Sequence, residues 1–505
     1  MNDRQESKLT MYQKVSDTCK NSEEAESIAP CELLLKPLSI HRQTKAIVLF
    51  LTVFLTGTLS YSQDITGQWN GVLSVQGASL RIVFHVHKTG TGYTSTMDSP
   101  DQGARGIPVT AAAFDGSKLS LTVSSIGLTY EGEFKTDSVV GTLKQSGMSF
   151  PMTLKRAPVE IKPVVRPQEP KPPYPYRSEE ITFENKAAGI TLAGTLTMPL
   201  TGADFTAVIL ITGSGAQDRN EEIMGHKPFL VIADYLTRHG IAVLRYDDRG
   251  TAKSTGDFRS ATTADLAADA ESAVAWLKTR KDINKRKIGL MGHSEGGIIA
   301  TMVAARSKDA GFMVMLAGTG IRGDSLLLLQ EELIYRASGM PEDRIAETCK
   351  INSELFRMIV HAKGTLSQQE IIDFMKTSPE IDIAAVTPEG MTGDDYMKQF
   401  AGSMASPWMQ YFLRCDPAPA LERVKCPVLA VNGDKDLQVP AKVNLPAISR
   451  ALKKGGNKNV TVKEYPGLNH LFQECTTGSP GEYASIEQTF SPAVLKDITE
   501  WILKF

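Results

Sequence analysis

The feature that most restricts the fold of this chain is the alternation of apolar strands and amphipathic helices that begins near residue 178. AVILIT (207–212) and KIGLMG (287–292) are continuously apolar, which is typical of strands buried on both faces. Between them, PFLVIADYLTRHG (228–240) has helical periodicity and ends in glycine. We therefore expect a mostly parallel sheet with helices on both faces, and an antiparallel hairpin over 181–198 at its edge.

A stretch at about 320–410 interrupts this alternation. It reads as helices, such as SLLLLQEELIYRASG (325–339), between the strand candidates FMVMLAG (312–318) and PVLAVNG (427–433). An insertion at this place should form a helical cap above the carboxyl ends of the strands, where such sheets bind ligands. We expect an adaptable apolar lining of the pocket from this cap. The residues expected to supply it are Leu326 to Leu329, Met340, Met358, Met375 and Met404. For any single one of them, packing of the cap onto the sheet is an equally good interpretation.

The amino-terminal residues 1–62 combine a polar leader with an apolar run. The run, AIVLFLTVFLTGTL, is fourteen residues long, follows basic residues and precedes Ser60-Tyr61-Ser62. This order is typical of a cleaved signal peptide, and the run is shorter than the roughly 20 residues that span a membrane. A membrane anchor is the alternative. We therefore expect an exported bacterial protein, periplasmic or secreted, with no stable membrane partner beyond this segment.

Residues 63–156 alternate apolar and polar residues in short runs separated by turn sequences. This pattern predicts a small all-β antiparallel meander, as a barrel or a sandwich. Its opening, ITGQWNGVL (65–73), resembles the first strand of lipocalin-like domains. His85 and His87 share one strand face, and a solvated face is favoured over a metal site because no third ligand is evident.

A proline-rich segment, residues 157–177, separates this domain from a catalytic domain at 178–505. Its seven prolines favour an extended, polyproline-like linker. The formal net charge of the whole chain is −2, which argues against nucleic acid as a partner, since neutralising phosphates needs a basic excess. No metal, nucleotide or flavin motif occurs in the sequence, so we expect no cofactor and no metal.

Gly292-His293-Ser294-Glu295-Gly296 is the sharpest chemical motif in the chain. A strand candidate precedes it and the helix candidate IIATMVAAR (298–306) follows, which is the strand–turn–helix context of a nucleophile elbow. The flanking glycines leave room for a tight turn that lifts the serine hydroxyl clear of the sheet. Ser294 is therefore the predicted nucleophile, and it needs a base to take its proton.

The partners of such a serine follow it in the order acid, then histidine. His470 lies in EYPGLNHLF, after the strand candidate 460–465, and is the predicted general base. His293 occupies the elbow itself and cannot readily serve. Asp434 and Asp436 both follow the strand candidate PVLAVN, and both are candidates for the orienting acid.

An oxyanion hole needs two backbone N–H groups aimed at the developing charge. The residue after the nucleophile, Glu295, should supply one. The loop after AVILIT reads TGSGAQDR (212–219) and should supply the other. Ser214 is the first choice there and Gln217 is the alternative.

Four motifs together resemble bacterial α/β-hydrolases of the esterase and serine-aminopeptidase-like kinds, over roughly 180–505. These motifs are GHSEGG (292–297), YDDRGTAKSTGDF (246–258), GDKDLQVP (433–440) and PGLNH (466–470). The resemblance implies the α/β-hydrolase fold, and its G-x-x-D-x-x-V-P pattern favours Asp436 as the acid. The chain departs from it at TGSGAQDR, where many relatives carry His-Gly.

These parts predict a serine hydrolase, a carboxylesterase that cleaves small to medium acyl esters of small molecules through an acyl-enzyme on Ser294. A serine peptidase of the prolyl-oligopeptidase or aminopeptidase-like kind is the alternative. A peptidase would need an acidic anchor for a free amino terminus, for which Glu331 and Glu332 are candidates, although exposed helical carboxylates are the plainer interpretation. A binding protein with an inert hydrolase domain is the third hypothesis, and the complete triad argues against it. The oligomeric state is not determined by the sequence.

Overall fold

The computed structural model describes residues 64–75, 78–100, 104–145, 148–158, 165–379, 381–387 and 391–505. The predicted signal segment lies outside the described residues. Within the described residues, no helix is both long enough and apolar enough to cross a membrane.

Eight strands form a closed antiparallel barrel in the amino-terminal domain. They are β1 (Gly67–Val75), β2 (Ala78–Thr89), β3 (Gly92–Ser99), β4 (Ala104–Phe114), β5 (Lys118–Val123), β6 (Leu128–Lys135), β7 (Ser138–Gln145) and β8 (Met148–Lys155). Each strand pairs with the next, and β1 closes the barrel on β8 at Asn70 and Lys155.

The barrel interior is filled by its own side chains. Trp69, Phe84 and Tyr130 are fully buried there, because apolar residues at alternate positions of a strand all point inward. His85 follows Phe84 on β2, and its Nε2 lies 3.0 Å from Asp98 Oδ2. No group of three or more potential metal ligands occurs in the part of the chain that the structure describes.

The described part of the proline-rich segment is attached to the catalytic domain. Arg166 donates to the backbone carbonyl of Ala484 at 2.7 Å. Gln168 donates to the carbonyl of Phe490 at 2.7 Å and accepts from the N–H of Thr489 at 2.7 Å. From residue 165 onward, the proline-rich segment is therefore bonded to the catalytic domain. Proline has no N–H to donate, and side chains make these attachments instead.

The second sheet has eight strands in the order β16-β15-β14-β13-β11-β12-β10-β9. They are β9 (Arg177–Asn185), β10 (Ile190–Met198), β11 (Phe205–Ile211), β12 (Ala242–Tyr246), β13 (Ile283–His293), β14 (Phe312–Leu316), β15 (Val428–Gly433) and β16 (Val460–Tyr465). The pairs among β11 to β16 are parallel, while β9 and β10 form an antiparallel hairpin at one edge. The carboxyl ends of the parallel strands therefore share one edge of the sheet.

Twelve α-helices occur among the described residues. They are α1 (Pro228–Arg238), α2 (Thr263–Leu277), α3 (Glu295–Arg306), α4 (Gly323–Ala337), α5 (Glu342–His361), α6 (Gln368–Thr377), α7 (Ile383–Val386), α8 (Gly393–Met404), α9 (Pro407–Arg414), α10 (Ala418–Leu421), α11 (Ala441–Lys454) and α12 (Pro492–Ile502). Residues of α2, α3 and α11 join one apolar core of the sheet, and residues of α1 and α12 join the other. The sheet thus has helices on both faces, as in the α/β-hydrolase fold.

Helices α4 to α9 form the insertion between β14 and β15. Most of the insertion packs around an apolar core of its own, in which Met375 and Met404 are buried and Met358 is partly buried. The expectation that these three methionines and Met340 line the active-site cavity is wrong, because none of them is among its lining residues. Six helices in one insertion need an interior of their own, and flexible apolar side chains fill it.

Candidate active site

Ser294 lies at the sharp turn between β13 and α3. Its backbone has φ 53° and ψ −118°, a strained conformation for a residue with a side chain. A Cβ at Gly292 would lie 1.9 Å from the carbonyl oxygen of Gly296, and a Cβ at Gly296 would lie 2.2 Å from that of Ile211. The two glycines of the motif are therefore required by contact, and the turn is the predicted nucleophile elbow.

Asp436 and His470 form a buried pair beside this serine. His470 Nδ1 lies 2.8 Å from Asp436 Oδ2, and the two residues are only 4% and 2% exposed. The other carboxylate oxygen of Asp436 accepts the backbone N–H groups of Gln438 and Val439, each at 2.8 Å. Asp436 so held can accept an Nδ1–H of His470, an arrangement that would leave Nε2 free to take a proton from the serine.

Ser294 and His470 line one cavity of about 170 Å³. The structure contains no hydrogen bond between their side chains, and in substrate-free sites this bond is often long. The loops after β13, β15 and β16 thus bring the predicted nucleophile, acid and base to the same edge of the sheet.

Asp434 has a different role. Its Oδ1 accepts the N–H of Gly467 at 2.7 Å, and its own N–H donates to the carbonyl of Tyr465 at 2.9 Å. It therefore joins the acid loop to the histidine loop. Asp436, and not Asp434, contacts the imidazole.

Hydrogen bonds in the oxyanion loop, residues 212–219, distinguish Ser214 from Gln217 as the second backbone donor. The N–H of Gln217 donates to Asp248 Oδ2 at 2.9 Å, so this N–H is already used and Gln217 is corrected as a backbone donor. Among the described residues, the N–H groups of Ser214 and Glu295 have no acceptor. Ser214 lines the same cavity as Ser294, and Glu295 follows Ser294 directly in the chain, so these two N–H groups are free to act as the predicted oxyanion donors.

Two adjacent carboxylates hold this loop. Asp248 accepts the Thr212 hydroxyl at 2.8 Å as well as the N–H of Gln217. Burial raises the pKa of Asp248 to about 8, and these two donors oppose the rise. Asp247 pairs with Arg219 through both carboxylate oxygens, at 2.8 and 2.9 Å. The Asp-Asp of the YDDRG sequence therefore fixes the backbone that carries Ser214.

A second histidine–carboxylate pair lies against His470. His293 Nδ1 lies 2.9 Å from Glu221 Oε1, its Nε2 lies 3.0 Å from the carbonyl oxygen of His470, and the two rings are 4.7 Å apart. Burial lowers the pKa of His293, but the charge and hydrogen bond of Glu221 outweigh it and the net pKa is raised. Glu221 also accepts the N–H of Gly213 at 2.7 Å. This pair connects the oxyanion loop, the elbow and the histidine loop.

Sequence reasoning did not identify Glu221, Asp248 or Trp408. Asp248 belongs to a motif that resembles the family, which was the one available signal. Glu221 and Trp408 stand in no motif and reach the site only through packing.

The insertion supplies much of the apolar wall of the cavity. Leu326 and Leu327 of α4 and Trp408 and Phe412 of α9 line it. Glu331 does not belong to this lining; it accepts from Asn352 at 2.6 Å, and burial raises its pKa to about 7. Glu332 pairs with Arg336 at 3.0 Å. Neither carboxylate is placed to anchor a substrate amine in this cavity.

Comparison with known sequences identifies a matching family. The family described as X-Pro dipeptidyl-peptidase (S15 family) matches residues 172–456. Esterase EstD of Thermotoga maritima is 29% identical over 329 residues, which are 64% of this chain and 68% of that protein. An uncharacterised 31.7 kDa protein of Escherichia coli is 27% identical over 226 residues, 44% of this chain and 69% of its own length.

Comparison with solved structures finds esterases. An esterase of Pyrococcus furiosus has a TM-score of 0.38 at 16% identity, covering 66% of this chain and 92% of its own. An esterase of Pyrobaculum calidifontis has a TM-score of 0.39 at 18% identity, covering 65% of this chain and 85% of its own.

Proposed function

The chain belongs to the X-Pro dipeptidyl-peptidase (S15) family, and on that premise we propose that it is a serine carboxylesterase that cleaves small to medium acyl esters. The observation that carries the proposal is the buried Asp436–His470 pair, whose histidine lines one cavity with Ser294. The name of its relative EstD supports an ester as the substrate.

Acylation begins when the Ser294 oxygen attacks the ester carbonyl carbon and His470 Nε2 takes the hydroxyl proton. The negative charge on the carbonyl oxygen is stabilised by the N–H groups of Ser214 and Glu295. The tetrahedral intermediate then collapses, the bond to the alcohol oxygen breaks, and His470 returns the proton to the leaving alcohol. An acyl group remains on Ser294.

Deacylation repeats these steps with water. His470 takes a proton from water, the resulting hydroxide attacks the acyl carbon, and the bond to the Ser294 oxygen breaks as the proton passes to that oxygen. The products are a carboxylic acid and the free enzyme. Asp436 keeps the imidazole oriented and stabilises its charged form in both halves of the cycle.

Purified protein should cleave nitrophenyl acetate and butyrate, while Ser294→Ala should not. A fluorophosphonate probe should label Ser294 covalently, because the reagent needs an activated serine. Labelling that persists in Ser294→Ala would contradict the assignment of the nucleophile.

A peptidase is the second candidate, and the description of the matched family favours it. Hydrolysis of aminoacyl and X-Pro nitroanilides, measured beside the esters, separates the two activities. A kcat/KM for an X-Pro nitroanilide above that for any ester would replace the esterase proposal.

We also propose that the α4–α9 insertion acts as a cap that selects the acyl group and supplies no chemistry. Leu326→Ala removes part of the apolar wall and so enlarges the cavity. It should raise activity on longer acyl esters relative to acetate by about 10-fold, while acetate is still cleaved. Leu333→Ala, on the same helix but outside the cavity lining, is the matched control. Loss of acetate cleavage in a folded Leu326→Ala protein would show that the cap contributes to the chemistry.

Export remains a proposal from residues 46–62. Expression of the full chain in a bacterial host should yield a mature amino terminus at Gln63. Mass spectrometry of the purified protein measures this, and an intact amino terminus in the cytoplasmic fraction would contradict it.

A further inference from the structure

Tyr483 is a buried tyrosine that is bonded to the acid loop, residues 434–440, and has no part in the mechanism above. It lies on a short 3₁₀ helix, Pro480–Ser485, and is 1% exposed. Its hydroxyl oxygen accepts a hydrogen bond from Gln438 Nε2 at 2.9 Å. Gln438 also donates its backbone N–H to Asp436 Oδ1 at 2.8 Å. Gln438 therefore connects the phenol of Tyr483 to the carboxylate that orients the histidine of the triad.

The phenol of Tyr483 is suited to this contact because it stays neutral. Burial raises its pKa well above the ordinary value of 10.0, and the negative charge of Asp436 raises it further. A neutral phenol oxygen accepts an amide N–H, whereas an ionised one would repel the carboxylate of Asp436. Tyr483 therefore adds a hydrogen-bond acceptor to the acid loop without adding a second negative charge.

The polypeptide that carries Tyr483 is held by a second histidine outside the triad, His226. The carbonyl oxygen of Tyr483 lies 2.8 Å from His226 Nε2, and His226 Nδ1 lies 3.0 Å from the hydroxyl oxygen of Thr489. Burial lowers the pKa of His226 to about 4, so its ring is neutral near pH 7. His226 thus fixes residues 483–489 as an uncharged partner.

His226 also reaches the histidine loop. Its Nε2 lies 2.9 Å from the side-chain amide nitrogen of Gln473. The side chain of Asn469, the residue before His470, donates to Gln473 Oε1 at 2.9 Å and accepts the backbone N–H of Gln473 at 2.9 Å. Hydrogen bonds therefore run from the acid loop to the histidine loop through Tyr483.

The proline-rich segment holds the same polypeptide from another part of the chain. Arg166 donates to the carbonyl of Ala484, 318 positions away. Gln168 accepts the backbone N–H of Thr489, 321 positions away. These side-chain bonds restrict the residues next to Tyr483, which would otherwise be free to shift with their loop.

We propose that Tyr483 is a positioning residue that holds Asp436 in line with His470, and that the proline-rich segment keeps Tyr483 in place. A carboxylate orients an imidazole only while it stays within hydrogen-bond distance of it, so a shift of the acid loop would be felt at the base. This inference rests on the proposed function only in taking Ser294, Asp436 and His470 as a working triad, and not in the choice of an ester as substrate.

The first test measures the second-order rate of fluorophosphonate labelling of Ser294, which needs the triad but no ester substrate. Tyr483→Phe removes only the oxygen that Gln438 reaches, and it should label about 10-fold more slowly because His470 is less well oriented. Tyr130→Phe, at an equally buried tyrosine of the barrel, is the matched control and should label at the wild-type rate. A wild-type rate in Tyr483→Phe would overturn the proposal.

A double variant separates positioning from a general loss of structure. Asp436→Asn already removes the proper orientation of His470, so adding Tyr483→Phe should slow labelling by less than about twofold. A tyrosine that merely supported the fold would slow labelling by the same factor with either residue at position 436. Equal losses would therefore overturn the positioning role.

Thermal melting identifies a Tyr483→Phe protein that does not fold. In that case Gln438→Met decides, since it removes the same hydrogen bond from the other side and keeps the backbone N–H that Asp436 accepts. It should also label about 10-fold more slowly. Labelling of a folded Gln438→Met protein at the wild-type rate would contradict the role of this bond.

The contribution of the proline-rich segment is tested at Gln168. Gln168→Met keeps the length of the side chain and removes the acceptor of the Thr489 and Phe490 N–H groups. Labelling of Ser294 should slow about 3-fold, a smaller loss because the bond is further from the triad. Gln145→Met, which removes a glutamine bond to a carbonyl of the barrel, is the control and should change nothing. A wild-type rate in Gln168→Met would overturn this part of the proposal.

These tests and the esterase proposal fail separately. If the wild-type protein is labelled but cleaves no ester, the esterase proposal fails and the labelling rates still decide the role of Tyr483. If the wild-type protein cleaves esters and Tyr483→Phe labels at the wild-type rate, this inference fails and the esterase proposal stands.

Discussion

The barrel and the active-site cavity bury polar groups for different purposes. In the barrel, the Tyr130 hydroxyl bonds to the carbonyl of Val139 at 2.9 Å, and the Trp69 indole to that of Ile65 at 2.7 Å, inside an otherwise apolar core. Around the cavity, the buried groups are ionisable. They are Glu221, Asp248, His293, Glu295, Asp436 and His470.

This contrast shows that the free-energy cost of desolvating these ionisable groups falls around the cavity. Buried ionisable groups contribute little to stability unless every partner is present, and they are retained for orientation and chemistry. The hydrogen bonds of the barrel complete a core that apolar packing already stabilises. Substitutions around the cavity should therefore change catalysis, and substitutions in the barrel should change stability alone.

The largest effect is expected at Asp436. In Asp436→Asn the amide oxygen can still accept the two backbone N–H groups, but its NH₂ then faces His470 Nδ1 and favours the wrong tautomer. We expect kcat to fall by about 10⁴. Asp434→Asn is the matched control, because its amide oxygen still accepts the N–H of Gly467, and kcat should stay within about threefold. A larger loss in Asp434→Asn would reassign the acid.

A smaller loss is expected at Glu221. Glu221→Gln keeps the acceptor for Gly213 but removes the charge that His293 faces. The histidine loop and the oxyanion loop should then be less well aligned, and kcat should fall about 10-fold with little change in KM. Glu222→Gln, an exposed neighbour, is the control. A fall confined to KM would show that Glu221 acts on binding instead.

Asp248 should show a pH dependence of stability. Its folded pKa of about 8 lies above the ordinary value of 3.8, so the unfolded chain ionises first and wild-type stability falls as pH rises from about 4 through 8. Asp248→Asn removes this loss, since an amide can accept from Gln217 and donate to Thr212. Its Tm should exceed the wild-type Tm by about 2–4 °C at pH 9 and by less at pH 5. A Tm difference that does not vary with pH would refute the raised pKa.

The barrel should show the smallest catalytic effect. Tyr130→Phe leaves a buried carbonyl without its partner and should lower the free energy of unfolding by about 1 kcal/mol, measured by denaturant titration. The kcat for acetate should be unchanged. Tyr93→Phe, at a half-buried ring, is the control. A fall in kcat for Tyr130→Phe would mean that the barrel and the cavity are coupled.

What the sequence determined by itself is local. Strand and helix periodicities predicted the sheet, its edge hairpin and the place of the insertion, because burial of one or both faces imposes a repeat on adjacent residues. The elbow motif predicted Ser294, since its flanking glycines are needed within a turn of a few residues. His470 followed from the order of the loops at the carboxyl edge of the sheet.

Tertiary structure alone decided the choices between close alternatives. Asp434 and Asp436 stand two residues apart, and only the packing of the histidine loop puts one of them against the imidazole. Gln217 lost its place as an oxyanion donor because Asp248, 31 positions along the chain, takes its N–H. The methionines of the cap are buried inside it because its six helices need an apolar core of their own, which is also a matter of tertiary packing.

The residues absent from the sequence analysis were joined to the site by long-range contacts. Glu221 meets His293 across 72 positions, and Trp408 meets Glu295 across 113. No periodicity or motif encodes such pairs, because a hydrogen bond between distant residues depends on how the loops and the insertion pack around them. The chemistry of the site could be predicted from short stretches of the chain, and its alignment was decided by the fold.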